Sequence, residues 1–268
     1  MNLFLKELKF NKKSIIIWSI CIFLLLFIGV GKEFSMMTSS GAESMNELME
    51  NFPKSAKVIF GMNDYDLSKI EGYYSMMSMY IFIIVGIQAA MLGTGILAKE
   101  EIDKTFEFLC VKPISRIKIV ISKFCAAVVN MLILNIVTFV ASIYSIYCTG
   151  NLTNELIGKI TYLMFGMFLL QLIFSTAGML IYSSSKKAKM ASAITSAIVL
   201  ITFFISKLID LKDNIEFLKY LTPFKYFDAG EIMFENNMNT VYIILSLFLI
   251  ITFFIGTNVL YRKKDLNV

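Results

Sequence analysis

The sequence predicts an all-α integral membrane protein with six transmembrane helices. Three observations predict it. Hydrophobic residues make up 57% of the 268, mean hydropathy is +0.72, and the apolar excess falls in long blocks divided by charged stretches. A soluble domain averages about 45–50% apolar residues. A transmembrane barrel would need roughly ten-residue alternating segments, and these blocks do not alternate. With only three prolines in the chain, they read as helices.

Residues 1–13 form a short basic segment with Lys6, Lys9 and Lys13 on one face and Phe4, Leu5 and Leu8 on the other. An amphipathic helix of this kind lies flat at the headgroup level. The first span covers 14–30. It is expected to be retained, because no small-x-small cleavage site follows closely and further spans come later. Residues 31–75 make a long polar loop in which Met45, Leu48, Met49 and Phe52 share a helical stripe. Four more spans follow at 76–98, 119–148, 160–182 and 190–209. The third exceeds the roughly 20 residues a bilayer requires. A polar-aromatic stretch, 210–240, precedes the sixth span at 241–261, and the chain closes on Arg262, Lys263 and Lys264.

Six spans put both termini on one side, and charge says which. Sixteen of the 25 Lys and Arg lie in the N-terminal segment, the 99–123 stretch, the 183–189 loop and the tail. The other nine are spread over longer sequence that holds 14 of the 20 acidic residues. The positive-inside rule therefore places both termini and segment 99–118 in the cytoplasm, with 31–75 and 210–240 outside.

Segment 99–118 is the most informative stretch. Ile102, Phe106 and Leu109 share one face of a short helix, and Glu100, Asp103 and Glu107 share another. Pro113 ends that helix, and Ser115 can N-cap the next, which starts at Arg116. An amphipathic helix clamped between two spans suits docking to a soluble partner.

Several chemistries are excluded. The chain has no histidine, which removes Ser-His-Asp and Cys-His catalysis and imidazole metal sites. Cys21, Cys110, Cys125 and Cys148 show no CxxC spacing, and Cys21, Cys125 and Cys148 are expected to be small buried hydrophobes. Gly29-Val30-Gly31-Lys32 is not a nucleotide-binding loop, since Leu26 and Glu33 occupy positions that the motif reserves for other residues. No charged residue sits in the middle of a span, which disfavours an ion-driven transporter. Gln88, Asn130, Asn135, Gln171 and Asn258 are the uncharged polar residues within spans. They either bond helix to helix or line a substrate path. Gly86, Ala90, Gly93, Gly95, Gly166 and Gly178 are read as close-packing positions. The run Tyr220–Phe227, with Pro223 and Phe224, reads as an interfacial aromatic anchor or a gate.

The six spans, the start LKELKFNKKS, the loop KEEIDKTFEFLCVKPISRIKIVISK and the run YLTPFKYF resemble the permease subunits of ABC-2 type ABC transporters. The match in the loop falls on Glu101, Thr105, Glu107, Leu109, Pro113, Ile114, Ser115 and Arg116. The resemblance implies a dimeric export channel in the cell membrane, in which each permease docks on a separate ATPase. It implies a coupling helix at about Glu100–Leu109, an N-terminal connecting helix, and two short outer helices before the last span. ATP and Mg would sit on the ATPase; this chain is expected to be non-catalytic, with no cofactor of its own and no nucleic-acid partner. The expected cargo is an antimicrobial peptide or another amphipathic drug, since the outer loops are net acidic. Two other classes compete: a membrane sensor or scaffold whose loop binds a regulator, and a membrane enzyme acting on lipid.

Overall fold

A computed structural model describes residues 3–39, 52–62, 66–104, 115–185, 188–235 and 238–264. Among them, six helices are long and apolar enough to cross a membrane. The first is α1, Leu3–Leu26, which continues through a π-helical segment at Phe27–Glu33 into α2, Phe34–Ser39. A short helix, α3, covers Lys54–Ile59. The next spans are α4, Ile70–Ile102, and α5, Arg116–Cys148. They are followed by α6, Asn154–Ser184, and α7, Ala188–Leu211. A 3-10 segment at Asp213–Tyr220 leads to the short helices α8, Pro223–Tyr226, and α9, Ala229–Glu235. The last span is α10, Thr240–Lys263.

The helices start where polar side chains can satisfy their free N–H groups, which lipid cannot do. Ser115 Oγ accepts from the Lys118 N–H at 3.4 Å, as the sequence predicts. Thr153 Oγ1 accepts from Leu156 N–H at 3.2 Å, and Asn239 Oδ1 from Val241 N–H at 3.0 Å. At its far end α4 stops beyond Ile102, with Lys104 in the left-handed region at φ 53°.

Two expectations for the N-terminal half differ from what is seen. The basic segment 1–13 is not a separate interfacial helix: it runs unbroken into the first span, since nothing between Lys13 and Ser14 breaks a helix. The span also extends beyond Val30 as the π segment. The stripe at Met45, Leu48 and Met49 lies outside the described residues; Phe52 is exposed.

At the centre, α4 packs along α6, α10 covers another side of α6, α7 lies on α4, and α1 leans on α5. Small residues set the central contact. A Cβ on Gly93 would stand 2.0 Å from the Ser175 carbonyl oxygen, and one on Gly178 would stand 2.7 Å from the Ala90 carbonyl oxygen. Gly86 and Ala90 are buried with them, while Gly166 makes room for the Phe227 ring. Gly95 departs from the expectation, because a Cβ there meets nothing within 4 Å. The three described cysteines depart too: Cys21, Cys125 and Cys148 are free and exposed. A lipid-facing surface is as apolar as the interior, so a small hydrophobe need not be buried.

Gly93→Ala should therefore destabilise by about 3 kcal/mol or more, since overpacking here is against backbone. Gly95→Ala should be neutral or stabilising by up to about 1 kcal/mol. Thermal unfolding of both variants in one detergent checks the contrast.

Candidate functional site at the terminal end of the bundle

The ends of α4 and α5 bracket residues 105–114, and both are tied down by charge. Lys123 on α5 is fully buried. Its ammonium donates to the Ile96 carbonyl and lies 2.6 Å from Glu100 on α4 and 3.4 Å from Glu7 on α1. Lys99 adds a second cation, 3.8 Å from Glu7 and over the Phe10 ring. Two carboxylates and two ammonium groups thus join three spans with no net charge. A buried charge needs such pairing, because its desolvation is otherwise uncompensated.

A second cluster lies beside the first. Glu101 accepts from the Tyr182 hydroxyl at 2.7 Å and pairs with Lys264 at 3.3 Å. Lys264 also donates to the Tyr182 carbonyl at 2.9 Å. Burial pulls the Lys264 ammonium below its usual value, against the opposing pull of Glu101. Arg116 Nη1 donates to the carbonyls of Tyr261, Arg262 and Lys264, at 3.2, 3.0 and 2.9 Å. It therefore caps the C-terminal end of α10, where a cation suits both the free carbonyls and the helix dipole. The contacts of Glu7, Lys99, Arg116 and Lys264 place the start of α1 and the end of α10 at one end of the bundle.

The residues expected to couple to an ATPase separate into three groups. Glu100, Glu101 and Arg116 form the anchors just described, and Ser115 caps the start of α5. Glu100 is only 5% exposed and faces Lys123. Ile102, by contrast, is 51% exposed. Thr105, Phe106, Glu107, Leu109 and Pro113 lie outside the described residues. Sequence reasoning missed Glu7, Lys99, Lys123, Tyr182 and Lys264. Their signal was weak, because each lies far in sequence from its partner, and Glu7, Lys99, Lys123 and Lys264 read locally as ordinary charged helix ends.

The candidate path residues sit on α4, α5, α6, α8 and α10. Asn135 donates to the Met164 carbonyl at 3.0 Å, bonding α5 to α6. Asn258 bonds only within its own helix, at 2.9 Å to Phe254 O. Gln88, Asn130 and Gln171 are buried on α4, α5 and α6, and each has at least one side-chain atom with no hydrogen-bond partner. Pro223 occupies the first turn of α8. Phe224 is 8% exposed, against Phe174 and Phe203. It plugs the bundle and does not face lipid as an interfacial anchor would.

The opposite end has its own ionic cluster. Lys225 lies 2.6 Å from Asp210 and 3.3 Å from Asp228, and Lys207 lies 3.2 Å from Asp210. Burial alone would lower Lys225, yet Asp228 and Asp210 outweigh it and hold the ammonium above its usual value. Burial would raise Asp228, yet Lys225, Lys207 and the Gly230 N–H hold that carboxyl below the usual range. Asp228 also N-caps α9, accepting from Gly230 N–H at 2.9 Å. A cavity of about 50 Å3 adjoins this cluster, room for a water or two.

Six apolar helices with their charges paired at the two ends define a multi-pass integral membrane protein. The model of the ABC-2 family transporter proteins matches residues 1–266, and the chain belongs to that family. It is accordingly a membrane-spanning transport subunit of the permease kind, a class that is generally non-catalytic and works with an ATPase partner. Comparison with curated proteins gives no match.

Two outcomes follow from the clusters. Lys123→Met strands Glu100, leaves Glu7 with Lys99 alone, and should cost about 3–5 kcal/mol. Adding Glu100→Gln, which leaves the Glu7–Lys99 pair intact, should restore most of that in a thermal unfolding assay. At the other end, the depressed Asp228 carboxyl contributes stability above its ordinary value of about 4. That contribution disappears as pH falls through the lower folded value. Asp228→Asn should be less stable at neutral pH and should flatten the acid side of a stability–pH curve.

Proposed function

We propose that this chain is the permease of an ATP-driven exporter, paired with a second permease copy and with separate ABC ATPases that bind ATP and Mg. The observation that carries this reading is the anchoring of both ends of segment 105–114. Glu100 and Glu101 tie its first end to α5, α6 and the residue after α10; Arg116 ties its second end to α10. A segment held this way is suited to receive force. Displacing it moves several spans together, while a loosely tethered loop would absorb the push.

On this reading Ile102, Phe106 and Leu109 fill a groove in the ATPase, and Glu107 sets register by charge. Glu100 and Arg116 then act as positioning residues behind the docking surface, because their charges are spent within the bundle. The basic distribution puts the terminal end in the cytoplasm and the 31–75 and 210–240 stretches outside the cell. ATP-driven closure of the two ATPases draws the docking segments together and shifts the spans between two access states. That shift requires the states to differ in free energy when nucleotide is bound. The net acidic outer loops favour a cationic amphipathic cargo, of which an antimicrobial peptide is one kind.

Purification from the native membrane should bring down a stoichiometric nucleotide-binding chain. Phe106→Asp should lose it, and Glu107→Lys should keep ATP hydrolysis but uncouple it from transport. A preparation that carries a regulator and no ATPase would move the assignment to the sensor class.

A further inference from the structure

The first span leans on the third and barely touches the second. Between α1 and α4, on the half away from Glu7, this leaves a cavity of about 720 Å3, a volume typical of sites for drug-sized molecules. Leu24, Leu25 and Ile28 of α1 wall one side, and Met77, Ile83 and Ile84 of α4 wall the other. The α4 wall runs from Tyr73 to Ile84, about 16 Å of helix. Met62 and Met76 line the cavity with Met77, and such unbranched side chains adapt to apolar bodies of differing shape. Gly29 belongs to the same wall: a Cβ there would stand 2.7 Å from Met77 Cε.

Among the described residues a single charged side chain, Glu33, lines this cavity, and the winding of α1 puts it there. Residues four apart share a face of an α-helix, so α-helical winding would set Lys32 above Ile28. The π-helical segment Phe27–Glu33 instead closes its hydrogen bonds five residues apart, as the Phe34 N–H does to the Gly29 carbonyl. That winding brings Glu33 onto the stripe of Leu24, Leu25 and Ile28, while Lys32 lies over the Phe27 ring, 5.6 Å from its centre. The cavity thus gains a carboxylate where an unbroken α-helix would have offered an ammonium. Glu33 is exposed and accepts from the Tyr73 hydroxyl at 3.3 Å, which leaves its carboxylate acceptor sites to spare. Among the described residues no ammonium or guanidinium group pairs with it. Residues 40–51 and 63–65 contain no lysine or arginine. Single π-helical turns inside α-helices concentrate at functional sites.

We propose that this cavity binds a small cationic amphiphile, a single ammonium head on an apolar body. The ammonium donates to Glu33 beside Tyr73. The body lies along the walls toward Leu24 and Ile84, where it supplies the dispersion contacts that an unfilled gap forfeits. A neutral amphiphile forgoes the charge-assisted hydrogen bond, and an anionic one meets a like charge. Residues 31–75 carry seven acidic against four basic residues, a balance that raises the local concentration of cations near Glu33. The site stands whether or not the amphiphile is exported. It therefore does not depend on the exporter reading.

The test places the full chain in phosphatidylcholine nanodiscs and irradiates it with decylammonium bearing a diazirine at its far end. Peptide mapping should find the label on residues 24–28 and 83–84, and excess unlabelled decylammonium should remove it. The matching diazirine decanol should need about tenfold higher concentration for equal labelling, the factor expected of one charge-assisted hydrogen bond. Glu33→Gln should bring the two probes together while keeping the fold, because its amide oxygen still accepts from Tyr73. Ile28→Trp should suppress labelling by both, since Ile28 is 48% exposed and a larger ring there can fill the cavity. Equal labelling of the native chain by both probes would overturn the proposal. So would a preference for the ammonium that survives in Glu33→Gln. Failure of both probes to label these walls would overturn it too, the result expected if a second copy of the chain or a tightly held lipid fills the cavity.

Discussion

The close approach of α4 and α6 is the constraint on which the other helices depend. Lipid tails are as apolar as leucine, so no hydrophobic force drives helices together within a bilayer, and contact area must do the work. Gly93 and Gly178 let two backbones meet where any side chain would hold them apart. With that pair fixed, α6 offers one flank to α10 and α4 offers one to α7, while α5 bridges to α1. The centre is close-packed and the periphery is attached to it.

What attaches the periphery is polar, and it sits at the two ends. Lys123 binds α1 and α4 to α5, Arg116 and Glu101 bind the end of α10, and Lys225 gathers α7 with the short helices before the last span. Between these layers the side chains are neutral, with Gln88, Asn130 and Gln171 as buried amides. Charges concentrated where several helix ends meet give a bundle that can change its tilt while keeping its middle apolar. The same arrangement carries the proposed function, because what displaces segment 105–114 is passed to α4, α5, α6 and α10 at once.

Much of the fold was legible in the sequence, and the reasons are local. Long apolar blocks gave six spans, and the Pro113–Ser115 punctuation gave the start of α5, since a cap needs only one hydroxyl and one N–H three residues on. Segment 1–13 misled, because its two-faced pattern resembles a surface helix while only helix-breaking residues would have separated it from the span. The ionic clusters were not legible. Glu7, Glu100 and Lys123 meet only once three helices are packed, and no spacing rule links residues that far apart. Glu100 shows the cost of reading one helix alone: its stripe with Asp103 and Glu107 looks like the polar face of an amphipathic helix, yet its carboxylate turns inward. Gly95 shows the converse, a small residue that faces open space.

The held end of α10 has a consequence for biogenesis. A membrane chain is threaded from its N-terminus, so Arg116 and Glu101 enter the bilayer with α4 and α5 and must remain without Lys264 and the last carbonyls until the final span is released. The most apolar window of α10 is only 11% buried in the bundle, so greasy contact gives it little reason to choose one docking place over another. Its address is written in the polar groups at its finish. The polar residues that close the sixth helix therefore decide whether it is seated or left adrift in lipid.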